Sequence, residues 1–475
     1  MSRSTPAALR TAVGEWRIFL GRRYRRYLGI GAGQATVSAL AGDGLTIPLL
    51  LALGAHPALA TVIGVLPFAF SSAQLLVPRL LRRFDGNLRA VTIAILLVGE
   101  TRGFVLAVLT MLAWAGVIPS FVAIVAIGAV MALAGAATTI GGTNLLAWFG
   151  AVMPDGERRF VAPRVMGVNL GLGAVLLLPV ALLVQATFPT FGIRIYAVVF
   201  LVAGVAGVLE ILVVRRLPKP GRVHVARRPA AADGEPKASA AAGGAAAAAV
   251  GDASAAAVGD AAAAAPKPPR TELERFIRSI TFAAFGAGFG PYLSIYSISV
   301  LGLSPAFAIL LSALASAASL VSATVVGGML ARGSASRTLR LSMLMRGGSM
   351  LVGLLAFPQN PVAGLVICVV AVVASAGAAA GSLSSNERLM RLVPGPALID
   401  AQGRFVAGTA LGVTAGQFSN AAILAVLPLG FPAFAILFTV SGVTRFITAA
   451  RIDVSATWSS STMAYRTEDL TGPKK

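Results

Sequence analysis

Leu53-Gly54-Ala55-His56-Pro57-Ala58-Leu59-Ala60 recurs in the second half of the chain as Leu301-Gly302-Leu303-Ser304-Pro305-Ala306-Phe307-Ala308. A long apolar segment precedes each copy and another follows it. Two further matches keep the same order: Arg102-Gly103 with Arg346-Gly347, and Val152 to Arg164 with Leu392 to Arg404, which pairs Pro154 with Pro394 and Arg164 with Arg404. Three matches in one order mark an internal duplication.

Composition sets the solvent. At 57% hydrophobic, 12% charged and a mean hydropathy of +0.83, the chain has too few polar side chains to cover a water-facing surface of its size. The apolar segments run about 20 residues or more, enough at a helical rise of about 1.5 Å to cross a hydrocarbon core about 30 Å thick. About twelve such spans are expected, near residues 27–52, 57–78, 89–112, 119–146, 163–186, 193–214, 276–300, 305–331, 338–357, 361–384, 404–428 and 431–450. With six spans per copy, the copies enter the membrane in the same direction, as a parallel repeat about an axis along the membrane normal.

The basic residues set the orientation. Arg3, Arg10, Arg17, Arg22, Arg23, Arg25 and Arg26 precede the first span, and Arg79, Arg82, Arg83, Arg89, Arg158, Arg159, Arg215, Arg216, Arg332, Arg337, Arg340, Arg388, Arg391 and Arg451 fall on the same side. Loops on the other side carry almost none, Arg194 being the exception. Both termini are therefore expected to be cytoplasmic in a multi-pass protein of the cell membrane. The net charge of +21 is topological, spread over loops between spans, which argues against nucleic acid as a partner and for anionic lipid.

Five segments are expected: residues 1–26, a basic N-terminal segment; 27–214, a first six-helix bundle; 215–272, an Ala/Gly-rich cytoplasmic linker; 273–450, a second six-helix bundle; and 451–475, a tail. The run from Tyr27 is too long for a signal peptide and reads as a retained span. Cys368, the single cysteine, sits in an apolar helix and suits packing. His56 in a turn and His224 in the linker complete a set with no catalytic cluster, so neither catalysis, metal nor cofactor is expected.

Ionisable residues inside spans mark candidate sites, because burying a charge in lipid is costly. Asp43 lies between Gly42 and Gly44, with Pro48 beyond, where the first span is weakened. Glu100 and Arg102 lie mid-span between Gly99 and Gly103; two residues apart on a helix they point in different directions and need partners from other helices, Asp43 being one possibility for Arg102. Arg346 repeats Arg102. Tyr292 and Tyr296 share a helix face that suits a cavity wall or an interfacial anchor, and Gln417 adds an amide on the eleventh span. Gly29 and Gly33 have the spacing for close helix packing. In the loop 78–89, Asp85 among Arg82 and Arg83 is a candidate cytoplasmic gate held by ion pairs, with Arg164 and Arg404 at the repeated loops.

Twelve spans in two parallel halves, a long linker after the sixth and the repeated Leu-Gly-x-x-Pro turn resemble the major facilitator superfamily of secondary transporters over residues 27–450. Asp85-Gly86 with its basic cluster loosely matches that family's loop between the second and third spans; the Gly-Pro signature of its proton-coupled drug antiporters is missing from Gly167–Gly173. The resemblance implies an all-α membrane protein that moves a small solute by alternating access, coupled to a proton and acting as a monomer. Lipid translocation, drug efflux, or a non-transporting receptor or scaffold are the alternatives.

Overall fold

The computed structural model describes residues 21, 24–70, 73, 76, 80–81, 83–85, 87–152, 155–218, 270–286, 290–331, 335–393 and 397–452. Its described residues form fifteen α-helices and one 3-10 turn: α1 (Arg25–Leu40), α2 (Asp43–Ala52), α3 (Pro57–Ala69), α4 (Leu88–Glu100), α5 (Arg102–Trp114), α6 (Ser120–Val152), α7 (Asp155–Phe191), α8 (Arg194–Arg215), α9 (Arg270–Phe285), α10 (Gly290–Ser299), α11 (Pro305–Ala331), α12 (Ala335–Val352), the turn Gly353–Leu355, α13 (Ala363–Leu392), α14 (Ala397–Val426) and α15 (Phe431–Arg451).

These make twelve spans once three pairs are joined: α1 with α2, α4 with α5, and α9 with α10. Gly42 breaks the first span in an extended conformation, and a Cβ there would lie 2.2 Å from the Ser38 carbonyl. Its counterpart, the seventh span, is described as two helices, one ending at Phe285 and the next beginning at Gly290. The third span kinks at Thr101, whose hydroxyl donates back to the Leu97 carbonyl, a bond that bends helices. Nine helical stretches among the described residues are long and apolar enough to cross a membrane. The second span is described only in part, the seventh is split in two, and α12 carries Arg337, Arg340 and Arg346.

Helices outrun the apolar windows. α6 extends to Val152 where hydropathy ends the span at 146, and α9 starts at Arg270 where hydropathy starts it at 276, because hydropathy reports the lipid-embedded stretch and helical hydrogen bonding continues beyond it. The repeated turn is built alike in both copies. Gly54 (φ 87°) and Gly302 (φ 65°) are left-handed, and a Cβ added to either would meet nothing within 4 Å, so glycine is needed for its backbone and not for space. Pro57 and Pro305 then open the next helix.

Neighbour relations repeat as well. α1 packs on α7 and α8 as α9 packs on α14 and α15; α5 packs on α8 as α12 packs on α15; α3 packs on α6 as α11 packs on α13. The two halves meet through α3 against α14 and α7 against α11, a pair of contacts that the duplication exchanges. Around the repeated turns, α2 also packs on α10 and α11, and α10 on α3. One buried cluster there runs through both halves, from Leu45, Leu49 and Leu50 to Tyr292, Ile295 and Ile309. At the opposite, basic end the described core residues fall into two clusters: Tyr24, Leu88, Val161 and Val214 form one and Phe276, Leu339, Leu389 and Ala449 another.

Candidate functional site

In the first half the ends of α1 and α4, the start of α5 and the middle of α8 converge. Glycine permits this: a Cβ on Gly33 would lie 2.6 Å from Glu210 Cβ, one on Gly207 2.1 Å from the Glu100 carbonyl, and one on Gly103 2.4 Å from the Gly204 nitrogen. Arg102, 8% exposed, donates from Nε to the Ala41 carbonyl (3.1 Å), from one terminal nitrogen to Gly99 (3.0 Å) and from the other to Val37 (3.4 Å). It therefore caps the carbonyl ends of two interrupted helices, where a cation also meets the negative pole of the dipole. The sequence offers Asp43 as a partner for Arg102; the breaks supply main-chain acceptors instead.

Asp43 opens α2, half-buried, where the helix dipole favours a carboxylate. Glu100 ends α4, buried. Both lie within electrostatic reach of Arg102 without a hydrogen bond to it. Glu210 on α8, absent from the residues singled out by sequence, is 1% exposed with neither carboxyl oxygen hydrogen-bonded; Gln34 approaches it without completing a bond. The rule that singles out Asp43, a lone ionisable residue in an apolar run, applies equally to Glu210 in Val208-Leu209-Glu210-Ile211-Leu212.

The second half carries cations at the matching depth. Gly347 lies against the Gly442 carbonyl (3.2 Å from its Cβ position) as Gly103 lies against Gly204. Arg346 precedes that crossing, half-buried, its chain laid over Gly377 of α13. Arg445, also missed in the sequence, follows it on α15, 1% exposed. One of its terminal nitrogens donates to the Ser441 hydroxyl and to the Ser441 carbonyl (3.1 Å), while Nε has no acceptor. Ser441 in turn donates to the Gly286 carbonyl at the end of α9 (2.7 Å).

The tyrosines separate. Tyr292 is buried where the halves meet; its hydroxyl donates to the Gln417 carbonyl (3.1 Å) beside the side chains of Thr61 and Asn420, and the Gln417 amide oxygen has no partner. Tyr296 points away from that junction. It is fully buried against Phe434 and Phe438, at ring distances of 4.9 and 5.7 Å, and donates to the Ala356 carbonyl, because the helix face it shares with Tyr292 turns into the second-half core.

At the basic end, Asp85 is exposed in a turn with φ 51° and hydrogen-bonds to none of the described arginines; Arg83 is exposed too. The end of α8 there is capped by arginines: Arg26 donates to the Arg216 carbonyl (2.9 Å) and Arg89 to that of Arg215 (2.7 Å). Arg404 is exposed with a partner of its own. Arg82 and the side chain of Arg164 lie outside the described residues.

No family model and no curated relative matches the sequence. Solved structures do match. A D-xylose–proton symporter superposes with a TM-score of 0.62 at 11% identity, over 90% of this chain and 95% of its own. A bacterial homologue of the iron transporter ferroportin in an inward-facing state gives 0.62 at 14%, over 90% and 98%. The fold is that of the major facilitator superfamily. A variant of the nucleoside transporter NupG, at 0.60 and 15% over 90% and 99%, shares the superfamily fold with cargo of a different kind. Superfamily architecture thus frames the buried charges, and their chemistry has to be read from this chain.

Proposed function

We propose that this protein is a secondary active transporter that carries a small solute across the cell membrane by alternating access, with a proton as coupling ion and with both termini cytoplasmic. The observation that carries this reading is the division of the core: one cluster joins the halves around the Leu-Gly-x-x-Pro turns, and two separate clusters hold them at the basic end. Among the described residues, apolar packing joins the halves on the turn side and does not join them at the basic end, the pattern of a transporter open toward its basic face. Rocking about the contacts of α3 with α14 and α7 with α11 reverses the access.

Asp43, Glu100 and Glu210 supply the coupling chemistry. Each is a carboxyl group inside a span, Glu210 with neither oxygen hydrogen-bonded among the described residues, and all three lie within electrostatic reach of Arg102, whose cation is held by helix carbonyls. A proton arriving on one of them changes the charge at the junction of the first, third and sixth spans, the place where α1 ends and α2 begins. Movement of the α2–α10 contact follows from that junction. The domain division at residues 27–214 and 273–450 belongs to the same proposal.

The test is proton movement in vesicles containing the purified protein and a trapped pH-sensitive dye, read on addition of nucleosides, sugars, dipeptides or carboxylates. Solute-dependent proton flux is expected in the parent and its loss in at least one of Asp43→Asn, Glu100→Gln and Glu210→Gln. Proton flux unchanged in all three removes these carboxyls from coupling; absence of flux with every solute class counts against proton coupling itself.

A further inference from the structure

We infer that Arg346 and Arg445 form a binding site for an anionic group, a carboxylate or phosphate, on the solute. This rests on the transporter reading and adds the substrate class.

The duplication supplies the control. Arg102 and Arg346 occupy equivalent places, each one residue before a glycine that packs on a glycine of the last span of its half. Arg102 has three main-chain acceptors. Arg346 has no hydrogen-bond acceptor among the described residues, and it flanks the crossing of Gly347 on Gly442, one turn from which Arg445 stands on α15, within electrostatic reach of it. Among the described residues only one terminal nitrogen of Arg445 has an acceptor, Ser441, and the buried Nε has none. Two guanidinium groups, one of them 1% exposed, are therefore gathered with most of their donors unused.

No acid of this half compensates them. Between residues 273 and 450 the acids are Glu274, Glu387 and Asp400, and Glu274 is paired with Arg278 at 3.5 Å on the exposed face of α9. Glu387 lies ten residues beyond Gly377 on α13, about 15 Å along the helix, and is bonded to Arg391 at 2.9 Å. Asp400 opens α14 at the same end. An uncompensated pair of cations inside a membrane span, one buried and one half-buried, is costly to keep, and a ligand of opposite charge removes that cost.

The surroundings aim the pair. A Cβ on Gly377 would lie 2.6 Å from Arg346 Cγ, so this glycine is the notch through which the Arg346 chain crosses α13. Ser441, which holds Arg445, also holds the Gly286 carbonyl, placing the second guanidinium at the end of α9. The forked donors of two such groups fit the oxygens of a carboxylate or a phosphate and repel a cationic solute.

Thermal unfolding of the purified full chain in detergent tests this, with glutarate, inorganic phosphate and, as neutral control, glycerol at millimolar concentration. Glutarate or phosphate is expected to raise the parent midpoint by about 3 °C or more over glycerol. Arg346→Gln and Arg445→Gln are expected to unfold no earlier than the parent without anion and to lose the rise. Neither anion exceeding glycerol, or a full rise in both variants, overturns the site. If neither variant folds, Gly377→Leu, which keeps both charges and displaces Arg346, decides: an unchanged rise overturns the proposal and a reduced one supports it. Stabilisation by an anion that crosses no vesicle membrane keeps the site and removes the transporter reading, whereas proton-linked flux of a neutral solute unchanged in Arg346→Gln does the reverse.

Discussion

Arg102 and Arg346 stand at equivalent positions of a duplicated chain and meet the demands of a buried guanidinium in different ways. Arg102 spends its donors on Val37, Gly99 and Ala41, the open carbonyl ends of α1 and α4. Its replacement by Met is expected to lower stability by about 1 to 2 kcal/mol, two bonds to the first span at roughly 0.6 kcal/mol each and one local bond to Gly99, and to loosen the break at Gly42. Thermal unfolding of Arg102→Met beside Arg346→Gln measures the contrast, with a drop in the first and none in the second; equal drops would place both in the same capping role. Arg102, Asp43, Glu100 and Arg346 are legible in the sequence as charges inside apolar runs. Glu210 and Arg445 obey the same rule as single charges, without the flanking glycines that make the others conspicuous. That Glu210 and Glu100 approach one helix junction is not legible, since more than a hundred residues separate them.

Among helices, glycine decides which pairs can touch. Gly408, Gly412 and Gly416 recur every four residues on α14, and Cβ atoms there would lie 2.6, 2.2 and 1.8 Å from Thr281 Oγ1, the Thr281 carbonyl and the Phe285 carbonyl of α9. This is close backbone approach through a small-residue stripe. Gly416→Ala is expected to cost about 1 to 3 kcal/mol by forcing these helices apart. Gly348→Ala and Gly403→Ala, where nothing lies within 4 Å, should leave the unfolding midpoint unchanged in the same assay. Gly29 and Gly33 show the same principle on α1, facing Val213 and Glu210 of α8, as their spacing suggests. The spacing shows that some helix approaches; it does not say which, because a small-residue stripe carries no address.

For the molecule as a unit, closure on the turn side is the feature that function would have to undo. Ser304, in the second copy of the repeated turn, donates to the Gln185 side chain of α7 at 2.7 Å, and a Cβ on Gly44 of α2 would lie 2.7 Å from the Ser312 hydroxyl of α11. A Gln185→Cys, Ser304→Cys pair in a Cys368→Ala background is expected to cross-link on mild oxidation. Transport should fall to background and return on reduction. Flux that persists in the cross-linked protein, verified by mass, would mean that this side need not open.

Hydropathy and the three matches of the duplication were enough to determine the lipid environment, the count of spans and their parallel duplication, because each is a local or additive property of the chain. The broken first span was also local, written in Gly42 and Gly44. Which buried charges find acceptors, which stay unpaired, that Tyr296 turns into the core, and that the core is single at one end and double at the other were decided by tertiary structure alone. Those outcomes depend on contacts between helices far apart in the chain, and the energy of a buried charge is set by whatever those contacts bring within a few ångströms of it.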